Sequence, residues 1–200
     1  MARTQDALYA EIALDLSWSE RDLPERERTK HVHRLHPYLG KFIPQVVEVL
    51  LGRYVPAGGR VLDPFAGSGT TLVQGLESGH DAAGIDVAAF NCLLMEVKTR
   101  QYDLFALESE IRDVVRRLEA LEGGRRAKGY VAEWFAPRAA SELLAFRTLV
   151  SDYEHADVLR VVLARAARSA RLTMHFDLDF PRSPQREPYW CHKHKRLCRP

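Results

Sequence analysis

The sequence predicts an α/β protein, a parallel sheet partly built around one glycine turn and carrying a helical insertion. Two observations predict the sheet and a third the insertion. Gly58-Gly59 lead into a short apolar run, Arg60-Val-Leu-Asp63, which passes straight into a turn with glycines at 67 and 69. A helical stretch from Thr70 to Glu77 stops at Gly79, and a second apolar run, Asp81 to Val87, carries Asp86 at its end. Strand, turn, helix, strand is the order of a parallel crossover unit. From residue 104 to residue 170, by contrast, three helical patterns follow one another with no strand between them, which is foreign to an alternating sheet and reads as an insertion.

The first unit has a chemical meaning. Gly67 and Gly69 permit conformations and close approaches that a side chain would block. Asp86, 17 residues beyond Gly69, sits where an acid accepts hydrogen bonds from ribose hydroxyls at the carboxyl edge of such a sheet. Two features argue against a phosphate-bearing ligand. The turn lacks the lysine of G-x-x-x-x-G-K-[ST], and Asp63 would repel a pyrophosphate. A cationic nucleoside fits better.

Asp63-Pro-Phe-Ala-Gly-Ser-Gly-Thr-Thr71 resembles the D-P-F-x-G-S-G-T-T signature of the amino-group (N4-cytosine or N6-adenine) DNA methyltransferases. That resemblance implies a Rossmann-like class I methyltransferase sheet, here partial, and S-adenosylmethionine as cofactor. Residue by residue it assigns the loop to Asp63, Pro64, Phe65, Gly67, Gly69 and Thr70, and the ribose to Asp86. His36-Pro-Tyr-Leu-Gly-Lys-Phe42 is similar to the family's upstream cofactor segment, so Tyr38, Lys41 and Phe42 are expected to close over the adenosine. The resemblance covers residues 34–98 and implies site-specific methylation of DNA, as in restriction–modification. A methyltransferase of the same fold acting on RNA or a small molecule is the nearest alternative, and a non-catalytic nucleic-acid-binding fragment is a third.

Taken in order, residues 5–18 place Leu8, Ile12 and Leu16 on one helical stripe, and residues 1–36 read as a helix followed by a polar loop. His31, His33 and His36 lie in that loop without the cysteine or acid partners of a metal site. Residues 37–100 form the cofactor-binding core. Within it a helix starts at Pro44, a favoured first-turn position, and shows Val47, Leu50, Leu51 and Tyr54 on one face. Ala88 to Lys98 is helical, with Cys92 expected in the core rather than as a nucleophile. Residues 101–172 are the helical insertion.

Residues 173–200 read as an irregular basic tail, broken by Pro181, Pro184 and Pro188. Cys191, His192, His194 and Cys198 crowd its end, but four ligands so close together rarely wrap one ion, so no metal is assigned. Tyr189-Trp190 beside His192-Lys-His-Lys-Arg196 combines stacking rings with cations, and the tail is expected to face DNA.

In the resembled family a (D/N/S)-P-P-(Y/F) turn contacts the target amine. Ser183-Pro-Gln-Arg and Glu187-Pro-Tyr-Trp hold only fragments of it, so the catalytic residue is unknown and the chain is expected to continue in a longer protein. Composition bounds the rest. Two hundred residues with 46% hydrophobic and 28% charged side chains suit a well-cored globular chain. No apolar run reaches the roughly 18 residues of a membrane span, and the expected location is cytoplasmic.

Overall fold

The computed structural model describes residues 21, 23, 31–37, 40–121, 126–175, 181–192 and 194–200. They fall into two compact units that divide at Thr99, with Leu35–Pro37 counted in the second. The helix expected over residues 5–18 lies outside the described residues.

In the first unit a 3-10 turn, His31–Arg34, precedes helix α1, Pro44–Tyr54. Pro44 occupies the first turn, where its missing N–H is no loss, and Val47 and Leu51 are buried. Strand β1, Arg60–Asp63, then leads through the glycine turn into helix α2, Thr70–Glu77, strand β2, Asp81–Gly84, and helix α3, Ala89–Thr99. The strands pair in parallel, Val61 opposite Ala82 and Asp63 opposite Gly84. Ala66, Leu72 and Met95 form the core of this unit, with Ala82 packed on it. The packing is close enough to require glycine at 84, because a Cβ there would lie 2.6 Å from Leu72 Cδ1 and 2.8 Å from Ala66 Cβ. Among the described residues the parallel sheet has two strands, fewer than the doubly wound sheet that the resemblance implies. Leu62, on the opposite face of β1, is 63% exposed, whereas parallel sheets are normally covered on both faces.

The second unit opens with helices, as the strandless stretch predicts. Helix α4, Leu104–Glu119, is capped by Asp103, whose side chain accepts from the amides of Phe105 and Ala106. Helices α5, Gly129–Trp134, α6, Pro137–Leu149, and α7, Ala156–Ala170, follow. Val114, Phe146, Val150 and Leu159 share one core, and each such burial contributes about 1.5–3 kcal/mol. Trp134, Phe135 and Ala140 form another. The tail is not irregular throughout. Past its last internal proline, Tyr189–Cys191 (β3) and Arg196–Cys198 (β4) make an antiparallel hairpin. The prolines break only the stretch ahead of it. Among the described residues no helix is long and apolar enough to cross a membrane.

Candidate functional site

The turn between β1 and α2 is built by two carboxylates. Asp63, the last residue of β1, accepts from the Phe65 amide at 3.0 Å and so bends the chain out of the strand. Asp86, two residues beyond β2, draws the turn across to the second strand. It accepts from the amides of Gly67 at 2.9 Å and Ala88 at 2.8 Å, and from Asn91 Nδ2 at 3.0 Å. These bonds, the Ala88 amide first and then Asn91 and Gly67, hold its carboxyl below the usual carboxylate range, so it is ionised at neutral pH. A carboxylate has about four acceptor positions and three are used, which leaves capacity for a ligand hydroxyl. The Gly67 amide is engaged by Asp86, so the turn presents itself to a ligand as a braced loop more than as a row of open amides.

Gly67 and Gly69 have φ of +52° and +79°, conformations that L side chains rarely adopt. Gly69 is constrained twice, since a Cβ would also lie 2.9 Å from Met95 Cγ. Asp63, Phe65, Gly67, Thr70 and Asp86 line one concavity of about 150 Å³ with Gly40, Lys41 and Phe42. Phe65 is 87% and Phe42 63% exposed, so two rings stand at its rim. Pro64 is exposed and Gly69 buried. Of the residues predicted to form the site, Tyr38 lies outside the described residues. A larger groove of about 540 Å³ in the second unit, beside Glu119 and Arg138, holds none of these groups.

Beneath the turn lies a buried layer that sequence reasoning missed. Lys98 on α3 is 7% exposed, and its ammonium donates to the Ser68 carbonyl at 2.5 Å. Burial first, then the nearby Lys41, lowers its pKa to about 8. Lys41 donates to the His33 carbonyl at 2.7 Å, and burial lowers its pKa as well. His33 is not on a surface loop, as the sequence suggested, but fully buried, with Nε2 2.7 Å from Gln74 Oε1. Gln74 in turn donates to Glu48 at 2.6 Å. Burial, together with Lys98 and Lys41, lowers the His33 pKa against the opposing Gln74 bond. Cys92 is also placed differently. It is exposed rather than in the core, with its thiol directed at the Asp86 carbonyl, 3.4 Å away.

Asp63, Asp86 and Lys41 line a small concavity with aromatic rims. Ser68 Oγ and Thr70 Oγ1, both buried, find no hydrogen-bond partner among the described residues. Such atoms normally mark a polar group still to be supplied.

The class that fold and turn define is an α/β unit with a glycine turn at the carboxyl end of a parallel strand pair. Residues 9–96 match the model of a family described as DNA methylase. It is 33% identical over 262 residues to the type II methyltransferase M.MjaII of Methanocaldococcus jannaschii, covering 95% of this chain and 48% of that relative. It is 25% identical over 152 residues to the type II methyltransferase M.MvaI of Kocuria varians, covering 70% of this chain and 34% of that relative. The chain thus spans half or less of the length of these curated relatives. No solved structure matches it.

Proposed function

We propose that this chain is the cofactor-binding part of a site-specific DNA methyltransferase that transfers a methyl group from S-adenosylmethionine to an exocyclic amine of cytosine or adenine. The observation that carries the reading is the convergence of Asp63, Asp86 and Lys41 on the concavity of the DPFAGSGTT turn. Asp86 would take a ribose hydroxyl on its remaining acceptor position. Asp63 would meet the ammonium of the methionine moiety, and Lys41 its carboxylate. Phe65 and Phe42 flank the place for the adenine, with Tyr38 expected to join them. Gly67, Gly69 and Thr70 form the floor.

S-adenosylmethionine supplies an electrophilic methyl on a sulfonium. The chain's own contribution is to bind and orient that group and to keep the turn rigid. The amine-contacting Pro-Pro-aromatic turn is absent from residues 1–200, and the reading assigns it to a part of the protein outside them. The open face of β1 around Leu62 supports this, because the remaining strands of such a sheet would cover it.

Calorimetry on the 200-residue chain tests the proposal. Saturable binding of S-adenosylmethionine or S-adenosylhomocysteine, without methyl transfer to duplex DNA, is the expected result. A folded sample that binds neither ligand overturns the cofactor assignment, and labelled DNA produced by this chain alone overturns the division of labour.

A further inference from the structure

The end of the second unit assembles a ligand set that the tail's own sequence does not reveal. His175, Cys191, His194 and Cys198 each offer one ligand atom, and the four atoms lie within 4.8 Å of one another. Cys191 Sγ is 3.5 Å from His175 Nδ1 and 3.6 Å from His194 Nδ1, and His194 Nδ1 is 3.4 Å from Cys198 Sγ. Zinc binds thiolate sulfur at about 2.3 Å and imidazole nitrogen at about 2.0–2.1 Å in a tetrahedron, which sets neighbouring N and S ligands about 3.5–3.6 Å apart. The three separations match that spacing. His192, counted among the possible ligands from sequence, is exposed and lies outside the cluster, and His175 takes its place.

The fold brings these residues together through hydrogen bonds outside the ligand set. The β3–β4 hairpin pairs Tyr189 with Cys198 and Cys191 with Arg196, which puts both cysteines on one face, while Trp190 and Leu197 point the other way and are 56% and 70% exposed. His194 sits in the turn next to Lys195, which has a left-handed φ of +49°. His175 reaches the hairpin from outside it, its amide donating to the Tyr189 hydroxyl at 2.7 Å. The Gln185 amide donates to the Leu172 carbonyl at 2.9 Å and closes the intervening segment at its base. Neither cysteine is in a disulfide, and Cys191 and Cys198 are 2% and 8% exposed. Among the described residues the hairpin's core is Tyr189, Cys191 and Cys198, and small modules with so little apolar burial commonly gain stability from a metal.

We infer that His175, Cys191, His194 and Cys198 form a zinc site that clasps the hairpin to the segment following α7. Two thiolates and two imidazoles select a borderline-soft ion of tetrahedral preference. With all four positions filled by protein the site is closed, so it is structural and leaves no open position for water or substrate. The inference does not depend on the cofactor reading, because all four ligands belong to the second unit.

The test is metal analysis of the untagged 200-residue chain purified under reducing conditions from zinc-supplied cells, with cobalt substitution as a spectroscopic probe. One zinc per chain is expected, and the cobalt form should show the intense visible absorption of a tetrahedral thiolate site. His175→Ala and Cys198→Ser should lose the equivalent, while His192→Ala keeps it. A wild-type chain that takes up neither zinc nor cobalt overturns the inference, even if the variants fail to fold. So does equal metal loss from His192→Ala and His175→Ala, or a Cys191–Cys198 disulfide in the freshly purified, metal-supplied protein.

Discussion

Lys98→Met probes the buried layer under the turn. Lys98 has its pKa lowered from 10.5 to about 8 in the folded chain, with burial the first cause and Lys41 the second. The unfolded chain therefore holds this proton more tightly than the folded one. Below about pH 8 both states carry the charge, and the folded state bears the full cost of burying it. Above about pH 10.5 neither is charged and the cost is gone. At about 1.4 kcal/mol per pH unit, the difference between the limits is of the order of 3 kcal/mol, most of it recovered between about pH 7 and pH 10. Stability owed to Lys98 thus rises with pH, opposite in sign to that of a lysine that gains a carboxylate partner.

The variant lacks this titration. Subtracting its stability from that of the wild type cancels the other groups that ionise over the same range. Urea unfolding read by pulse proteolysis, with cleavage mapped to residues 60–99, should show the wild type gaining about 2–3 kcal/mol on the variant from pH 7 to pH 10. Near pH 7 the variant should be no less stable than the wild type, since replacing a buried charge by an apolar chain of similar length is often neutral or favourable. Its affinity for S-adenosylhomocysteine should nonetheless fall, because the Ser68 carbonyl loses the ammonium that fixes the turn. A wild-type-minus-variant difference that stays flat across the range would refute the buried, charged Lys98.

Three further perturbations separate the parts of the site. Gly69→Ala imposes a left-handed conformation costing about 1–2 kcal/mol and forces Met95 aside, so a total loss of about 2–3 kcal/mol is expected in the same unfolding assay; an unchanged midpoint would contradict the packing at Met95. Asp86→Asn keeps the side chain's shape but removes the charge that Gly67, Ala88 and Asn91 clamp; calorimetry should show S-adenosylhomocysteine affinity down at least about tenfold, and full affinity would mean that another acid holds the ribose. Replacing Lys193, Lys195 and Arg196 together by Ala should weaken DNA binding and flatten its salt dependence, while cofactor affinity and zinc content stay the same. Unaltered DNA affinity would remove the hairpin from the interface.

What the sequence made legible, and what it hid, follows from how local each signal is. β1, α2 and β2 could be read because glycines at 58, 59, 67, 69 and 79 punctuate them within one short stretch, and all of these but Gly59 have a positive φ, a constraint local to the residue. Helix α4 declared itself by apolar periodicity, α6 by the proline that opens it, and α7 by an Ala-, Val- and Arg-rich stretch after a turn. Cys92 misled because its helix buries the stripe Asn91, Leu94, Met95 and Lys98, and position 92, turned about 100° from 91, falls beside that stripe. The same stripe carried a signal that was overlooked, since Lys98 occupies a position four residues beyond Leu94 where a lysine must be buried or break the pattern.

His33 looked like a member of a surface histidine cluster because nothing near it in the chain names Gln74, its partner across 41 residues. The same limit explains the metal ligands. Cys191, His194 and Cys198 are neighbours in sequence and were seen together, whereas His175 joins them only through a fold whose tie, the Tyr189 hydroxyl, no spacing rule contains. His192 filled the gap in the sequence reading because adjacency stood in for geometry. A strand puts alternate residues on opposite faces, and a turn aims each side chain separately, so a residue next to a ligand in the chain is poorly placed to bind the same ion. His175, held from outside the hairpin, can therefore complete a tetrahedron that His192 cannot, and the paired His175 and His192 variants test this directly.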